Sequence, residues 1–463
     1  MSSDRTHRPE HVRKAEGMTE RKTVSRRDFV RWGGIAAVAG ASLAPFVARN
    51  VLHPEMASAQ TSDPPPDLHL GGTDGWIYLP DTDPPGRLLP YHPDNLAPGS
   101  LNTYIFGFHN LTQLAGTGIG IGGQKNQAQA SAPMFWATEG QEFRAKLTNL
   151  GLAQRPDLFD AHTIHWHGFR DVIPFFDGEP TGSVAVPAGR DFTYVYRPKD
   201  PGTYMFHCHV EDVEHVQMGM TGIVFVRPAS DPKWVYNDAS TAFDREFGMI
   251  LTEVWAEAHW ADAHIQLPEW SDYRADFSLI NGRVYPDTIA PHSPLAPDTL
   301  SNPWKPGFVN FGFDGTSGDL IEPNANPELK YQPLSSLVTC EAGDKVLLRM
   351  ANLGFKQSAM TLAGIPMHVV GKDATQLKGR DGTMFAFDTD TVMLGAGESA
   401  EAIFTAPAKL ANADPYDTYL LYNHAFIRAN NLAPGGFGGQ MTEIRVYPTG
   451  SLADQRFPND WGI

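Results

Sequence analysis

The sequence predicts an all-β chain of two domains that repeat one β unit. Three observations carry that expectation. With 463 residues, the chain has length for two or three domains with sizeable cores. Glycine (44) and proline (37) are plentiful and the apolar runs are short, as in a chain of many strands and turns. One order of strand-like words also occurs twice, at residues 138–207 and again at residues 340–424.

In chain order, residues 1–59 read as a targeting segment. Arg26 and Arg27 stand together ahead of an apolar stretch from Gly33 to Ala48. Ala57, Ser58 and Ala59 then precede Gln60 as a small-residue cleavage signal. The apolar stretch has only about 16 residues and contains Gly and Pro, which is short for a membrane anchor. The expectation is a twin-arginine signal peptide, cleaved on export of the folded chain to a periplasmic or extracellular place. No later stretch is long and apolar enough to span a bilayer.

The first domain is placed at residues 67–228 and the second at 245–450, joined by a linker over 229–243. Each domain holds a Gly turn followed by an alternating strand that ends in Asn, at 138–149 and at 340–352. A second turn and strand follow, at 186–194 and 394–403. Each repeat then closes with an aromatic strand bearing histidine, at 202–207 and 418–424. Residues 114–132, rich in Gly and then in Gln and Ala, read as a flexible excursion. Residues 286–334, rich in Pro, Asn and Gly, read as a long loop or cover within the second domain.

The formal net charge of −17 argues against a nucleic-acid or anionic-membrane partner. Of the two cysteines, Cys340 sits in a strand-like context and reads as a small buried hydrophobe. Cys208 lies between two histidines, and a disulfide would remove it as a thiolate ligand.

Residues 207–220 contain His207, Cys208 and His209, then His215, then Met218 and Met220. Two histidines, a cysteine and a weak axial methionine are the ligands of a blue (type 1) copper site. Six of the 17 histidines fall within residues 162–215. Alternate side chains of a strand point to opposite faces. Cys208 therefore shares a face with His162, while His165, His167, His207 and His209 gather on the other. The following loop brings His215 and a methionine to the cysteine side. Zinc also takes Cys and His, but a structural zinc site gains nothing from the methionine or from the second histidine group.

His165, Trp166, His167 and Gly168, with His207, Cys208 and His209, resemble the copper motifs of the multicopper oxidases of the cupredoxin superfamily. The resemblance covers about residues 130–450. It implies two cupredoxin-like Greek-key β-sandwich domains, with the blue copper in the first as in the two-domain, laccase-like members. The family spacing favours Met220 over Met218 as the axial ligand. The resemblance further implies an exported oxidoreductase. A small-molecule or metal-ion reductant would give single electrons to the type 1 copper, and a second copper centre, type 2 or type 2/3, would reduce dioxygen. It also implies a homotrimer, with the second centre between the first domain of one subunit and the second domain of the next.

Two departures stand out. Five residues separate His209 from His215 where the common family pattern has three, and the insertion carries Glu211, Asp212 and Glu214. A full trinuclear cluster takes eight histidines, four from each domain, yet the second domain is short of them. One expected His-x-His is replaced within residues 359–364, and the other reads Asn423, His424, Ala425. Only His424 stands in a ligand position, with His368 a weaker candidate. His109, His259 and His264 lie outside the repeated words.

Two alternatives follow from the same residues. The copper nitrite reductases also resemble the chain, and His167, His207 and His424 match the three histidines of their catalytic type 2 copper. His165 stands where that family has its catalytic Asp, Met360 aligns with its second-domain catalytic His, and His209 has no role there. The other alternative is a non-enzymatic blue copper electron carrier.

Overall fold

Short strands punctuated by Gly and Pro build four sheets in the computed structural model, which describes residues 64–81, 89–296, 307–429 and 438–462. The signal-peptide expectation for residues 1–59 lies outside the described residues. The first eight strands are β1 (Leu68–Ile77), β2 (Thr103–Asn110), β3 (Phe135–Thr138), β4 (Phe143–Gly151), β5 (His165–His167), β6 (Asp191–Tyr196), β7 (Gly202–His207) and β8 (Thr221–Arg227). A short helix, α1 (Asp212–Met218), lies between β7 and β8. Further on come β9 (Arg245–Val254), helix α2 (Ala256–Ala263), β10 (Phe277–Ile280) and β11 (Gly307–Phe308). The remaining strands are β12 (Val338–Glu341), β13 (Lys345–Asn352), β14 (Ser358–Leu362), β15 (Met367–Lys372), β16 (Thr375–Gln376), β17 (Phe387–Thr389), β18 (Thr391–Leu394), β19 (Ser399–Thr405), β20 (Asp417–Asn423) and β21 (Met441–Tyr447).

The two halves of the chain repeat one pairing scheme. One sheet runs β2-β1-β4-β6 and its counterpart begins β10-β9-β13-β19. The facing sheets run β3-β8-β7-β5 and β12-β21-β20-β14. In each half the same two contacts are parallel, β1 with β4 and β3 with β8, then β9 with β13 and β12 with β21. Each half closes on its own apolar core, the first around Phe106, Phe135, Trp166 and Phe206, the second around Phe247, Leu348, Met360 and Leu421. Cys340 is buried in β12 as a free thiol.

A third cluster joins the halves, with Met134, Trp136, Met205 and Phe225 against Ile250, Ala351 and Leu353. Met205 faces this junction while its neighbour Phe206 faces the first core. Strand β7 is thus buried on both sides, and its end is where the histidines and the cysteine emerge. Buried charge reinforces the junction, since Glu246 of β9 binds both Arg227 of β8 and Arg349 of β13.

Two expectations are corrected. The cover within residues 286–334 is not confined to the second half, because β11 pairs with β3 and Gln332 bonds Tyr78 of the first half. Residues 114–132 are exposed over 115–118 and packed toward their end, with Gln124 and residues 128–132 buried. Glycines at 75 and 107 allow this. A Cβ at either would lie 2.8 Å from the backbone of Ala128 or Gln129, so the segment lies flat on β1 and β2. No helix among the described residues is long and apolar enough to cross a membrane.

Candidate metal centre

The cysteine side is a closed pocket at the end of the first core. His162, Cys208, His215 and Met220 are all fully buried. Cys208 Sγ lies 3.2 Å from His215 Nδ1 and 4.0 Å from His162 Nδ1. The three candidate ligand atoms all fall within 4.8 Å of one another. The Thr163 amide donates to the sulfur at 3.5 Å, and the Cys208 amide donates to the Met220 carbonyl at 3.1 Å. Gly72 of β1 backs the pocket, where an added Cβ would sit 2.8 Å from His162 Cδ2 and 3.4 Å from Met220 Cε. Met220 and His162 therefore both border the same point of β1. Met218, also buried, packs in the core from the last turn of α1.

Electrostatics here favour a thiolate. Burial opposes the charged sulfur, but the His215 and His162 imidazoles outweigh it and hold the Cys208 thiol well below its usual range. Burial likewise opposes a charged His215, yet the Cys208 sulfur and Asp160 raise that ring to about 10. Soft thiolate, two imidazoles and a thioether in a fully buried pocket suit a copper ion.

His215 was expected on a loop, and the structure puts it on α1. The insertion makes a helical turn because Glu211 takes a left-handed φ of 46° to open it and Gly219, at φ 118°, closes it. His215 points into the cysteine pocket, while Val213 and Val216 line the cavity on the histidine side. The acidic residues Asp212 and Glu214 fall in the first turn of the helix, the end that favours negative charge.

On the histidine side, His165 and His207 are register partners in β5 and β7. Ring centroids are 5.3 Å apart for His165 and His207, 4.9 Å for His165 and His209, and 5.8 Å for His167 and His207. Ligand nitrogens of His165, His167 and His207 fall within 4.8 Å of one another. His165 Nδ1 donates to the Asp177 carbonyl at 2.7 Å and His207 Nδ1 donates to the Cys208 carbonyl at 2.8 Å, which leaves each Nε2 as a free donor of electrons. Burial lowers all three rings, and His207 reaches about 3, so they stand neutral as ligands must. The cavity they face has a volume of about 300 Å³ and is walled by α1, by Leu353–Phe355 and by Ala396 and Gly397.

The second-half candidates lie elsewhere. His424 is exposed after β20 and stacks on Tyr422 at 6.4 Å. His368 is exposed and bonds Asp388 at 2.7 Å. His109 is buried against Gln129, His259 against the Tyr104 carbonyl, and His264 pairs with Asp94 at 3.1 Å, so these three have structural partners. Sequence reading did not single out Asp160, which touches His215, or Gly72. Only their place beside the ligands marks them.

Residues 126–231, which contain all eight first-half candidates, match the family model described as multicopper oxidase. Among curated proteins, the chain is 23% identical over 275 residues to the multicopper oxidase MmcO of Mycobacterium tuberculosis, covering 59% of this chain and 46% of that protein. It is 24% identical over 272 residues to Laccase-13 of Arabidopsis thaliana, covering 58% of this chain and 38% of that one. The matches thus span less than half the length of these curated relatives. Among solved structures, the blue copper oxidase of Nitrosomonas europaea superposes with a TM-score of 0.54 at 20% identity, over 85% of this chain and 92% of that one. That likeness shows the fold, two cupredoxin-like β-sandwiches.

Proposed function

We propose, from the match of residues 126–231 to the multicopper oxidase family model, that the chain is a copper-dependent oxidoreductase. It takes single electrons from a reductant on the Cys208 side and delivers them to dioxygen on the histidine side. The observation that carries this reading is the placement of Cys208 between His207 and His209. Its sulfur meets His215 at 3.2 Å on one face, while the flanking rings join His165 on the other. A single residue's covalent bonds thus connect the two ligand groups.

Copper bound in the two groups would supply one-electron redox chemistry. The chain's own residues do the rest. The core around Cys208 excludes water from the sulfur. The Asp177 and Cys208 carbonyls hold His165 and His207 with Nε2 turned into the cavity. The cavity of about 300 Å³ has room for dioxygen and water. Asp160 and Glu211 stand beside His215, and with a net charge of −17 they favour neutral or cationic reductants, small organic molecules or metal ions.

The reading includes export by the twin-arginine segment and assembly as a homotrimer. Support for assembly comes from exposed His424 with Phe426 and Ile427, 73% and 78% exposed, which together make an apolar face beside an exposed imidazole.

Oxygen uptake by the copper-loaded protein with phenolic, metal-ion and artificial reductants tests the proposal. Uptake that disappears in Cys208→Ser is the expected result. A visible thiolate band with no oxygen consumed for any reductant overturns it in favour of an electron carrier.

A further inference from the structure

The second half repeats the strands of the first but not its donors. In β5 and β7 the core takes Trp166 and Phe206, and His165, His167 and His207 face away from it. In the equivalent β14 and β20 the core takes Met360, Leu362 and Leu421. The residues alternating with them are Ala359, Thr361, Tyr422 and His424. Tyr422 and His424 stack at 6.4 Å in the place where His207 and His209 stack at 5.4 Å. Asn423, the counterpart of Cys208, is fully buried and holds the turn through Gln440 at 2.7 Å and the Ala425 amide at 3.0 Å. Thr361 spends its hydroxyl on Thr391 at 2.8 Å.

The other second-half histidines do not make up the shortfall. His292 uses both ring nitrogens, on the Asn459 carbonyl and the Ser335 amide. His259 and His264 pack against the first half, with Tyr104 and Asp94. Among the described residues, His368 and His424 are the exposed histidines of the second half, while His264 and His292 are half-buried on the partners just named. The second-half residues that line the histidine cavity, Leu353, Gly354, Phe355, Ala396 and Gly397, bring no donor side chain. The four imidazoles of the first half therefore meet at most two from any second half, where a trinuclear cluster takes eight.

We infer that the histidine face holds one copper rather than three, so that the chain binds two in all, one on each side of Cys208. This rests on the copper reading above. The face is built for a single ion, because His165, His167 and His207 place their ligand nitrogens within 4.8 Å of one another. His209 stands beside them, and the open side of the cavity leaves a coordination position for a small molecule.

The test is copper content with electron paramagnetic resonance on the full copper-loaded chain after dialysis. About two coppers per chain are expected, both visible as isolated Cu(II), one with thiolate character and one without. His167→Ala should drop the content to about one and leave the thiolate band intact. Three or more coppers per chain, or a resonance-silent pair, overturns the inference and leaves the oxidase proposal standing. A single copper with thiolate character in the unaltered chain also overturns it. Two coppers without oxygen uptake uphold the inference and defeat the oxidase proposal.

Discussion

His215 reaches Cys208 Sγ with Nδ1 at 3.2 Å and Asp160 Oδ2 with Nε2 at 3.4 Å, so one buried ring links the sulfur to a carboxylate. Burial opposes a charge on that ring, but the Cys208 sulfur and Asp160 outweigh it and push the ring up to about 10. Below that pH it carries a proton that a metal must displace. Copper uptake at pH 8 should then release a proton from His215, and apparent affinity should climb with pH and level off near 10. Proton release on copper titration between pH 7 and 10 checks this. An affinity independent of pH over that range would defeat it.

Gly72 is the second test of the cysteine pocket. A Cβ there would press on His162 Cδ2 at 2.8 Å and touch Met220 Cε at 3.4 Å, and both side chains are fully buried. Gly72→Ala should weaken or shift the thiolate band of the copper-loaded protein while the fold, read by circular dichroism, is kept. The cost in stability should be about 1–3 kcal/mol, as for other overpacked cores.

Much of this site was legible because strand geometry has a period of two. His207, Cys208 and His209 alternate across β7 and the residues that follow it, and the neighbours each side gathers follow from that alternation. The repeat at residues 138–207 and 340–424 was legible for the same reason, since it returns as β4, β6 and β7 and as β13, β19 and β20. The helix α1 was not. Its residues read as a loop, and the signals for a helix were Gly219 as a helix end and the two residues beyond the family spacing. The pairing of β11 with β3 was also hidden, because two residues of strand carry no periodicity. The packing of Ala128 and Gln129 was hidden because the glycines that receive them lie elsewhere, at 75 and 107.

Gly397 does for the histidine side what Gly72 does for the cysteine side. It has φ 78°, and a Cβ there would sit 3.0 Å from His167 Cε1. Gly397→Ala strains the turn and pushes on a ligand ring at once. The expected outcome is loss of copper from the histidine face with the thiolate band unchanged. If both sites lose metal together, the two groups are not separable in this way.

Glu246 holds two fully buried guanidiniums, Arg227 and Arg349, at the junction of the halves. Arg349 also lies over the Phe225 ring at 4.4 Å, so it has no route to water. Removing the carboxylate leaves buried positive charge uncompensated. Glu246→Ala should cost about 3–5 kcal/mol in denaturant unfolding. The double variant with Arg349→Met should recover part of that loss, because one stranded charge is gone. Equal losses in the single and double variants would show that the pair does not act through charge.

His424, Phe426 and Ile427 present one ligand-type side chain and two exposed apolar ones on a short stretch after β20. An apolar pair this exposed, beside an imidazole, suits a surface that a neighbouring copy covers. In the proposed homotrimer that copy brings its own histidine face to His424. Replacing Phe426 and Ile427 with Asp puts two like charges into the contact, so the assembly should fall to monomers in sedimentation at micromolar concentration. His424→Ala removes only the ring, so the assembly should persist while oxygen uptake falls and the thiolate band stays. If the Asp variant keeps both its assembly and its activity, the contact lies on another face of the molecule.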